Sequence, residues 1–139
     1  MLKDFEQFDG YTKKAGKFLE FLLLEFYKHD LDHPITSRSI KTMTHRVNRE
    51  GPYRETTGLS GVEVRAIVHF LREEGYPIGS RGSGYYWCRS EEDKQVTLDH
   101  LRQRVRSITR AYNGLEKADL DKSPSNTLHM GQIGMVFNG

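Results

Sequence analysis

The sequence contains few combinations of side chains that could perform catalysis or hold a metal. Asp30, Asp32 and His33 form the densest group of potential metal ligands. No second group completes a site, and the run is typical of the end of a helix. Cys88 is the single cysteine; it has no matched histidine and is expected to be a buried strand thiol. Because no carboxylate pair or nucleophile with an adjacent base stands out, we expect no enzyme, no metal and no cofactor.

Glycines at positions 79, 82 and 84 could suggest a phosphate-binding loop. A nucleotide-binding loop of that kind opens a helix after a strand, whereas these glycines lie between two β-prone segments, residues 76–79 and 85–88. The pattern therefore predicts a β-hairpin with a turn at residues 80–84, where glycine allows a positive φ. Arg81 and Ser83 would lie at the tip of this hairpin.

Positive charge is concentrated in the middle third of the chain. The formal net charge of the 139 residues is +2, but residues 36–89 alone carry a net +4. Residues 1–35 carry a net −2 and residues 90–139 are neutral. The small total does not indicate nucleic acid by itself, so the distribution matters only where it coincides with a motif. A single cysteine excludes an internal disulfide, and no apolar run is long enough to cross a bilayer.

The segment of residues 60–74 predicts a helix within this basic region. Ser60 is a favourable N-cap, and Glu63 follows three residues later, as in a capping box. The spacing i, i+3, i+4, i+7 predicts a buried face formed by Val64, Ile67, Val68 and Leu71. The opposite face would present to a partner Glu63, Arg65, Ala66, His69 and Arg72.

The remaining segments predict a mainly helical chain with one small β-hairpin. Residues 11–28 predict a broadly apolar helix, residues 34–36 a short extended piece, and residues 37–48 a second helix with Arg38 and Lys41 near its start. This order is that of a winged helix-turn-helix domain over residues 11–89, followed by a long C-terminal helix. We expect residues 1–10 to form a flexible arm and residues 119–139 a disordered tail.

The C-terminal helix, predicted over residues 90–118, carries an apolar seam. Its members are separated by alternating steps of three and four, the pattern of a coiled coil: Leu98, Leu101, Val105, Ile108, Tyr112 and Leu115. The seam could pack on the first helix of the same chain, or pair with its equivalent in a second copy. Only about two and a half heptads are present, fewer than a firm coiled-coil assignment needs; we expect a homodimer.

The run LSGVEVRAIVHFLREEGYPIGSRGSGYYWCRS resembles the third helix and wing of the biotin-repressor-like winged helix proteins. It has a Leu-Ser start, an amphipathic helix, Leu-Arg-Glu-Glu-Gly-Tyr-Pro-Ile, and a glycine-rich wing that closes on Gly-Tyr-Tyr. The next segment is similar to the C-terminal helix of small phage and prophage members of that group. The resemblance covers roughly residues 35–118. It departs from the family at residues 48–59, where about a dozen residues replace a tight turn.

The resemblance implies a sequence-specific binder of double-stranded DNA, a phage or prophage regulator of transcription or replication in the cytoplasm of a bacterial host. The major groove is about 12 Å wide and admits one α-helix, so residues 60–74 would enter it while the wing, residues 79–85, holds the flanking backbone. The expected contact residues are Arg38, Lys41, Ser60, Glu63, Arg65, His69, Arg72, Arg81 and Ser83.

A protein-interaction module is the alternative, because a winged fold does not by itself fix function. The low net charge and the acids Glu63, Glu73 and Glu74 on the same helix favour it. The partner would be a host or phage protein such as a polymerase or a replication or defence component. The apolar segment of residues 133–137 in the tail could be a docking peptide.

Overall fold

The computed structural model describes residues 3–50 and 58–124. The described chain is mainly helical with a small antiparallel sheet, which confirms the coarse prediction. A 3-10 segment, Lys3–Gln7, comes first. It is followed by α1 (Lys13–Tyr27), β1 (Ile35–Thr36), α2 (Ser37–Glu50), α3 (Gly61–Glu73), β2 (Ile78–Arg81), β3 (Gly84–Trp87) and α4 (Glu91–Glu116). No helix in these two described stretches is long and apolar enough to span a membrane.

The chain divides into two compact units, Met1–His100 and Leu101–Gly139. The buried core belongs to the first unit. It is built from one face of α1, one face of α3, single residues of β1, α2 and β2, and Phe5 and Leu59, which lie outside the α-helices and strands. On α3 the buried residues are the four that the helical spacing predicts, together with Phe70. Burial of these apolar side chains is the main force that fixes α3 against α1.

The three strands are ordered β1-β3-β2, and both pairings are antiparallel. The hairpin is tighter than predicted, because Arg81 pairs with Gly84 and only Gly82 and Ser83 remain in the turn. Gly82 has a φ of 60°, while Ser83 does not have a positive φ. This combination is that of a type II′ turn, which requires glycine at its first central position and matches the twist of a hairpin.

The N-terminal segment packs on the core instead of forming the expected flexible arm. Phe5 is 2% exposed, and its ring centroid lies 4.8 Å from that of Phe70 and 5.3 Å from that of Tyr11. The Phe8 N–H donates to Phe5 O and the Tyr11 N–H donates to Phe8 O, so the backbone forms two successive turns. The aromatic residues thus repeat at steps of three, and they bring residues 5–11 onto α3.

The junction between α2 and α3 is held by a buried threonine. The Thr44 hydroxyl donates to Ile40 O at 2.8 Å and accepts from the Leu59 N–H at 2.8 Å. A side chain at Gly58 would overlap the Lys41 carbonyl, so the chain enters α3 in direct contact with α2. α2 continues to Glu50, three residues into the predicted insertion of residues 48–59, and residues 51–57 lie outside the described chain.

The start of α4 is attached to the hairpin by polar contacts. The buried Tyr86 hydroxyl donates to Asp93 O at 3.0 Å and lies 3.1 Å from Thr97 Oγ1. Thr97 Oγ1 also accepts from the Ser80 N–H at 2.9 Å. A side chain at Gly79 would overlap the Tyr86 ring. The glycine is thus explained by packing within the hairpin, in agreement with the hairpin interpretation.

Candidate functional site

The exposed stripe of α3 is narrower than the sequence predicted. Arg65 is exposed, and its charged group has no hydrogen-bond or ion-pair partner in the described chain. The His69 side chain is 66% exposed, and its Nε2 lies 3.6 Å from Glu73 Oε1. Val62, 67% exposed, lies one turn before Arg65. These residues form the part of α3 that an external partner can reach.

The N-terminal segment covers the neighbouring part of α3. A Cβ added at Gly10 would lie 2.7 Å from Ala66 Cβ, and the Phe8 ring centroid lies 5.3 Å from that of His69. Between this segment and the exposed stripe runs an open depression. Its lining includes Phe8, Asp9, Val62, Arg65, His69 and Glu73. Ala66, expected on the free face, is thus partly covered; the spacing of Phe5, Phe8 and Tyr11 was the sequence signal for this packing.

Ser60 and Glu63 serve the helix start rather than an outside partner. The Ser60 hydroxyl accepts from the Glu63 N–H at 3.2 Å, and Glu63 Oε1 accepts from the Ser60 N–H at 3.0 Å, which confirms the capping box. Glu63 also forms an ion pair with Lys14 (3.1 Å) and accepts from the Thr12 hydroxyl. Its side chain is only 14% exposed. Glu63 thus attaches α3 to the start of α1, and its contact with DNA stays a prediction.

The environment of Glu63 predicts an acid-dependent contribution to stability. Partial burial raises the pKa of this carboxyl, but the hydrogen bonds from Ser60 and the contact with Lys14 outweigh it, so the pKa lies below its ordinary value of 4.5. The contribution is therefore complete above that value and is lost as the pH falls through the lowered pKa. Between about pH 5 and pH 3, the stability of Glu63→Gln should fall less than that of the wild type. Urea unfolding across this range measures the difference, and parallel curves would contradict the assignment.

Arg72 connects α3 to the hairpin and is not available in the way the sequence predicted. Its Nε donates to Ile78 O at 2.7 Å, and its Nη2 donates to Ser80 Oγ at 3.2 Å. Sequence spacing placed Arg72 on the outer face because it alternates with the buried residues. β2, however, packs against this end of α3, and two of its residues, Ile78 and Ser80, accept hydrogen bonds from the Arg72 side chain.

Replacing Arg72 by alanine should therefore reduce stability. The change leaves the part-buried Ile78 carbonyl without this donor, and such losses cost about 1–3 kcal/mol. Arg65→Ala is the matched control, since it removes an exposed arginine from the same helix and should stay within about 0.5 kcal/mol of the wild type. Urea unfolding followed by circular dichroism measures both. Equal stabilities of the two variants would show that the Arg72 contacts contribute nothing.

The hairpin tip lies beside the start of α2. The Ser37 N–H donates to Ser83 O at 3.1 Å, so the turn residues contact the first residue of α2. Arg81, Gly82 and Ser83 are exposed on one side of this contact, and Arg38 is exposed on the other. Lys41, one turn further along α2, is also exposed, and its carbonyl lies against Gly58 at the entry to α3. The side chains that the sequence predicts for the DNA-contacting surface thus lie on the hairpin, α2 and α3, which are connected by these contacts.

The cations of these elements differ from several others in the first unit. Lys28 pairs with Glu25 and Lys94 with Glu91, while Arg89 donates to Tyr27 O and lies over the Tyr27 ring. On α2, α3 and the hairpin, four exposed cations have side chains without a hydrogen-bond or ion-pair partner in the described part of the chain: Arg38, Lys41, Arg65 and Arg81. These four side chains can bind an anionic partner without first breaking an ion pair within the chain.

The other groups singled out in the sequence are the Asp30–His33 run and Cys88, and Cys88 lies just after β3 rather than inside a strand as predicted. Asp30 accepts from the His33 N–H at 2.9 Å and lies 3.0 Å from His33 Nδ1. The hydrogen bond with the His33 side chain lowers the pKa of Asp30. Cys88 is half-buried, and this burial raises the pKa of its thiol. Among residues 3–50 and 58–124, no group of three or more His, Cys, Asp or Glu residues is placed to hold a metal ion.

Comparison with known proteins finds no matching family model, no matching curated protein and no matching solved structure.

Proposed function

We propose that the first unit is a winged helix-turn-helix domain that binds double-stranded DNA in a sequence-specific way. The element order α1-β1-α2-α3-β2-β3 and the antiparallel sheet β1-β3-β2 are compatible with that fold. The observation that carries the proposal is the set of unpaired, exposed cations on α2, α3 and the hairpin, three elements that contact one another. The resemblance of residues 59–90 to biotin-repressor-like winged helices supports the same conclusion.

In this mechanism α3 enters the major groove with its narrow exposed stripe. Arg65 is the residue suited to base reading, because a guanidinium can donate two hydrogen bonds to the O6 and N7 of guanine. His69 follows one turn later and can donate to a base edge or a phosphate. Val62 supplies an apolar contact of the kind that the thymine methyl group accepts. Ser60, Glu63 and Arg72 fix the orientation of α3 and make no base contact.

In this mechanism the hairpin and the start of α2 bind the phosphate backbone on either side of α3. Arg81 reaches a phosphate from the turn, and the type II′ turn at Gly82 and Ser83 lets the backbone approach closely. Arg38 adds a second cation, and the dipole of α2 favours an anion close to its N-terminus. With Lys41, three phosphate contacts are available, so the logarithm of affinity should fall with the logarithm of salt with a slope of about −3.

The experiment that tests this function is selection of bound duplexes from a random library by the full chain. We expect enrichment of a short motif, because each good bidentate base contact discriminates by about 1–3 kcal/mol. The control is the same selection with Arg65→Ala, whose enriched motif should lose information at one base pair while retaining the rest. A library that emerges unenriched from the wild-type selection would exclude sequence-specific binding. We propose that the bound site regulates transcription or replication, since reading a short sequence suits that task.

A protein-interaction module is the second candidate, and the depression beside α3 favours it. Phe8 and Val62 give this depression apolar walls, while Asp9 and Glu73 place negative charge next to Arg65 and His69. Such a mixed surface suits a peptide better than a uniformly basic surface would. Arg81→Ala distinguishes the two functions, because Arg81 lies on the hairpin and is not among the residues that line this depression: it should weaken binding of duplex DNA and leave protein capture unchanged. A wild type that binds no duplex DNA but captures a protein, and loses that protein on Val62→Glu, would favour this candidate.

A further inference from the structure

The second unit presents an uncovered apolar seam on α4. Val105 is 61% exposed, Ile108 65%, Tyr112 64% and Leu115 80%. Leu101, at the beginning of the unit, is partly buried. The five residues are separated by steps of four, three, four and three, and the helix is continuous through all of them. Isolated apolar residues are ordinary on a surface, but a row of four large ones along one helix marks an interaction site.

The spacing of the seam specifies the kind of surface that would cover it. Alternating steps of three and four keep the apolar residues facing a second helix along the whole contact, as in knobs-into-holes packing. In heptad terms Val105 and Tyr112 occupy the a positions, and the d positions are Leu101, Ile108 and Leu115. A sheet or a globular pocket has no need of this repeat, so the partner is a helix that carries it too.

We propose that the partner is α4 of a second copy of this chain. The flanking e and g positions allow the identical sequence to pair without like-charge contacts. In a parallel pair Arg104 (g) faces Thr109 (e) of the second copy. In an antiparallel pair centred between Val105 and Ile108, Arg104 faces Ala111 and Arg102 faces Thr109. Arg106 and Arg110 occupy b and f positions, which point away from the seam in both cases. Two copies of α4 can thus pair without placing like charges opposite each other at the e and g positions of the second unit.

The dimer is a separate proposal from DNA binding, and an experiment can exclude either one without excluding the other. A dimer gives two copies of the first unit on one particle, which suits a site with two half-sites. The seam is short, so we expect exchange between monomer and dimer in the micromolar range of protein concentration. A monomeric chain could still bind a single half-site, and a dimer could form in a protein that never binds DNA.

Sedimentation equilibrium of the full chain, from about 1 to 100 µM, tests the proposal, since this range brackets micromolar dissociation constants. The wild type should approach twice the chain mass at the upper end. Val105→Glu with Ile108→Glu should remain monomeric throughout, because carboxylates replace two central layers. Gln103→Glu with Ser107→Glu is the matched control: it adds the same charge at f and c positions and should dimerise like the wild type.

Circular dichroism and thermal unfolding show that each variant is folded. A wild type that remains monomeric at the highest concentration would overturn the proposal. So would a seam variant that dimerises as strongly as the control, because the contact would then lie elsewhere on the chain. If both variants lose the dimer to the same extent, added negative charge rather than the seam is responsible, and the proposal also fails.

Discussion

Replacing Phe5 by alanine should lower the free energy of unfolding by about 3–5 kcal/mol. Phe5 lies near the N-terminus, where an ordinary polar arm would tolerate any substitution. Its ring is instead 2% exposed and packs against Phe70 of α3, with Tyr11 at its edge. Removing it leaves a cavity under α3, and a loss of this size is a large share of the 5–15 kcal/mol by which a domain is stable.

The matched control for Phe5 is its exposed neighbour Asp4. Asp4→Ala should stay within about 0.5 kcal/mol of the wild type, and urea unfolding at neutral pH measures both variants. If Phe5→Ala were as stable as Asp4→Ala, the N-terminal segment would be a loose arm in solution, as the sequence alone suggested. A variant of Phe5 too unstable to purify can be replaced by Phe5→Leu, which should show a smaller loss of the same sign.

Removing both Arg65 and Arg81 should weaken DNA binding on the order of 100-fold, since each lost base or phosphate contact costs about 1–3 kcal/mol. The single variants should differ in kind. Arg81→Ala should weaken binding to all duplexes alike and reduce the salt slope by about 0.9, because it removes one phosphate contact. Arg65→Ala should instead reduce the preference for the selected motif at one base pair. Fluorescence anisotropy with salt titration separates these effects.

Arg110→Ala is the control for these variants, because Arg110 is also exposed but lies on α4 in the second unit. Its affinity for DNA should stay within a few-fold of the wild type. An equal loss from Arg110→Ala and Arg81→Ala would mean that overall charge, rather than the hairpin, determines binding. Unchanged affinity in Arg65→Ala with Arg81→Ala would exclude the proposed interface.

Local patterns in the sequence predicted the helices and the hairpin well. The Ser60 and Glu63 capping box and the buried face of α3 depend on residues within one or two turns of each other, so their spacing is sufficient. The hairpin followed from the glycines between two β-prone segments. Its turn was predicted too long, because sequence composition does not show that Arg81 and Gly84 form the last pair of the ladder.

The errors concern contacts between distant segments. Helical spacing places Glu63 and Arg72 on the outer face of α3, but it cannot show that Lys14 and the backbone of Ile78 reach them. The polar composition of residues 1–10 likewise concealed Phe5, since burial depends on Phe70, far along the chain. The DNA interface stays a prediction, while tertiary packing places Glu63 and Arg72 in contacts within the domain.

The most direct test of sequence-specific DNA binding is the affinity of the wild-type chain for its selected duplex and for a scrambled duplex of equal composition. Anisotropy near 0.15 M salt should give a preference of at least about 10³-fold, the lower end for specific DNA-binding proteins. The slope against salt should be about −3 on both duplexes, as three phosphate contacts require. Equal affinities for the two duplexes, or binding that salt does not weaken, would contradict the account.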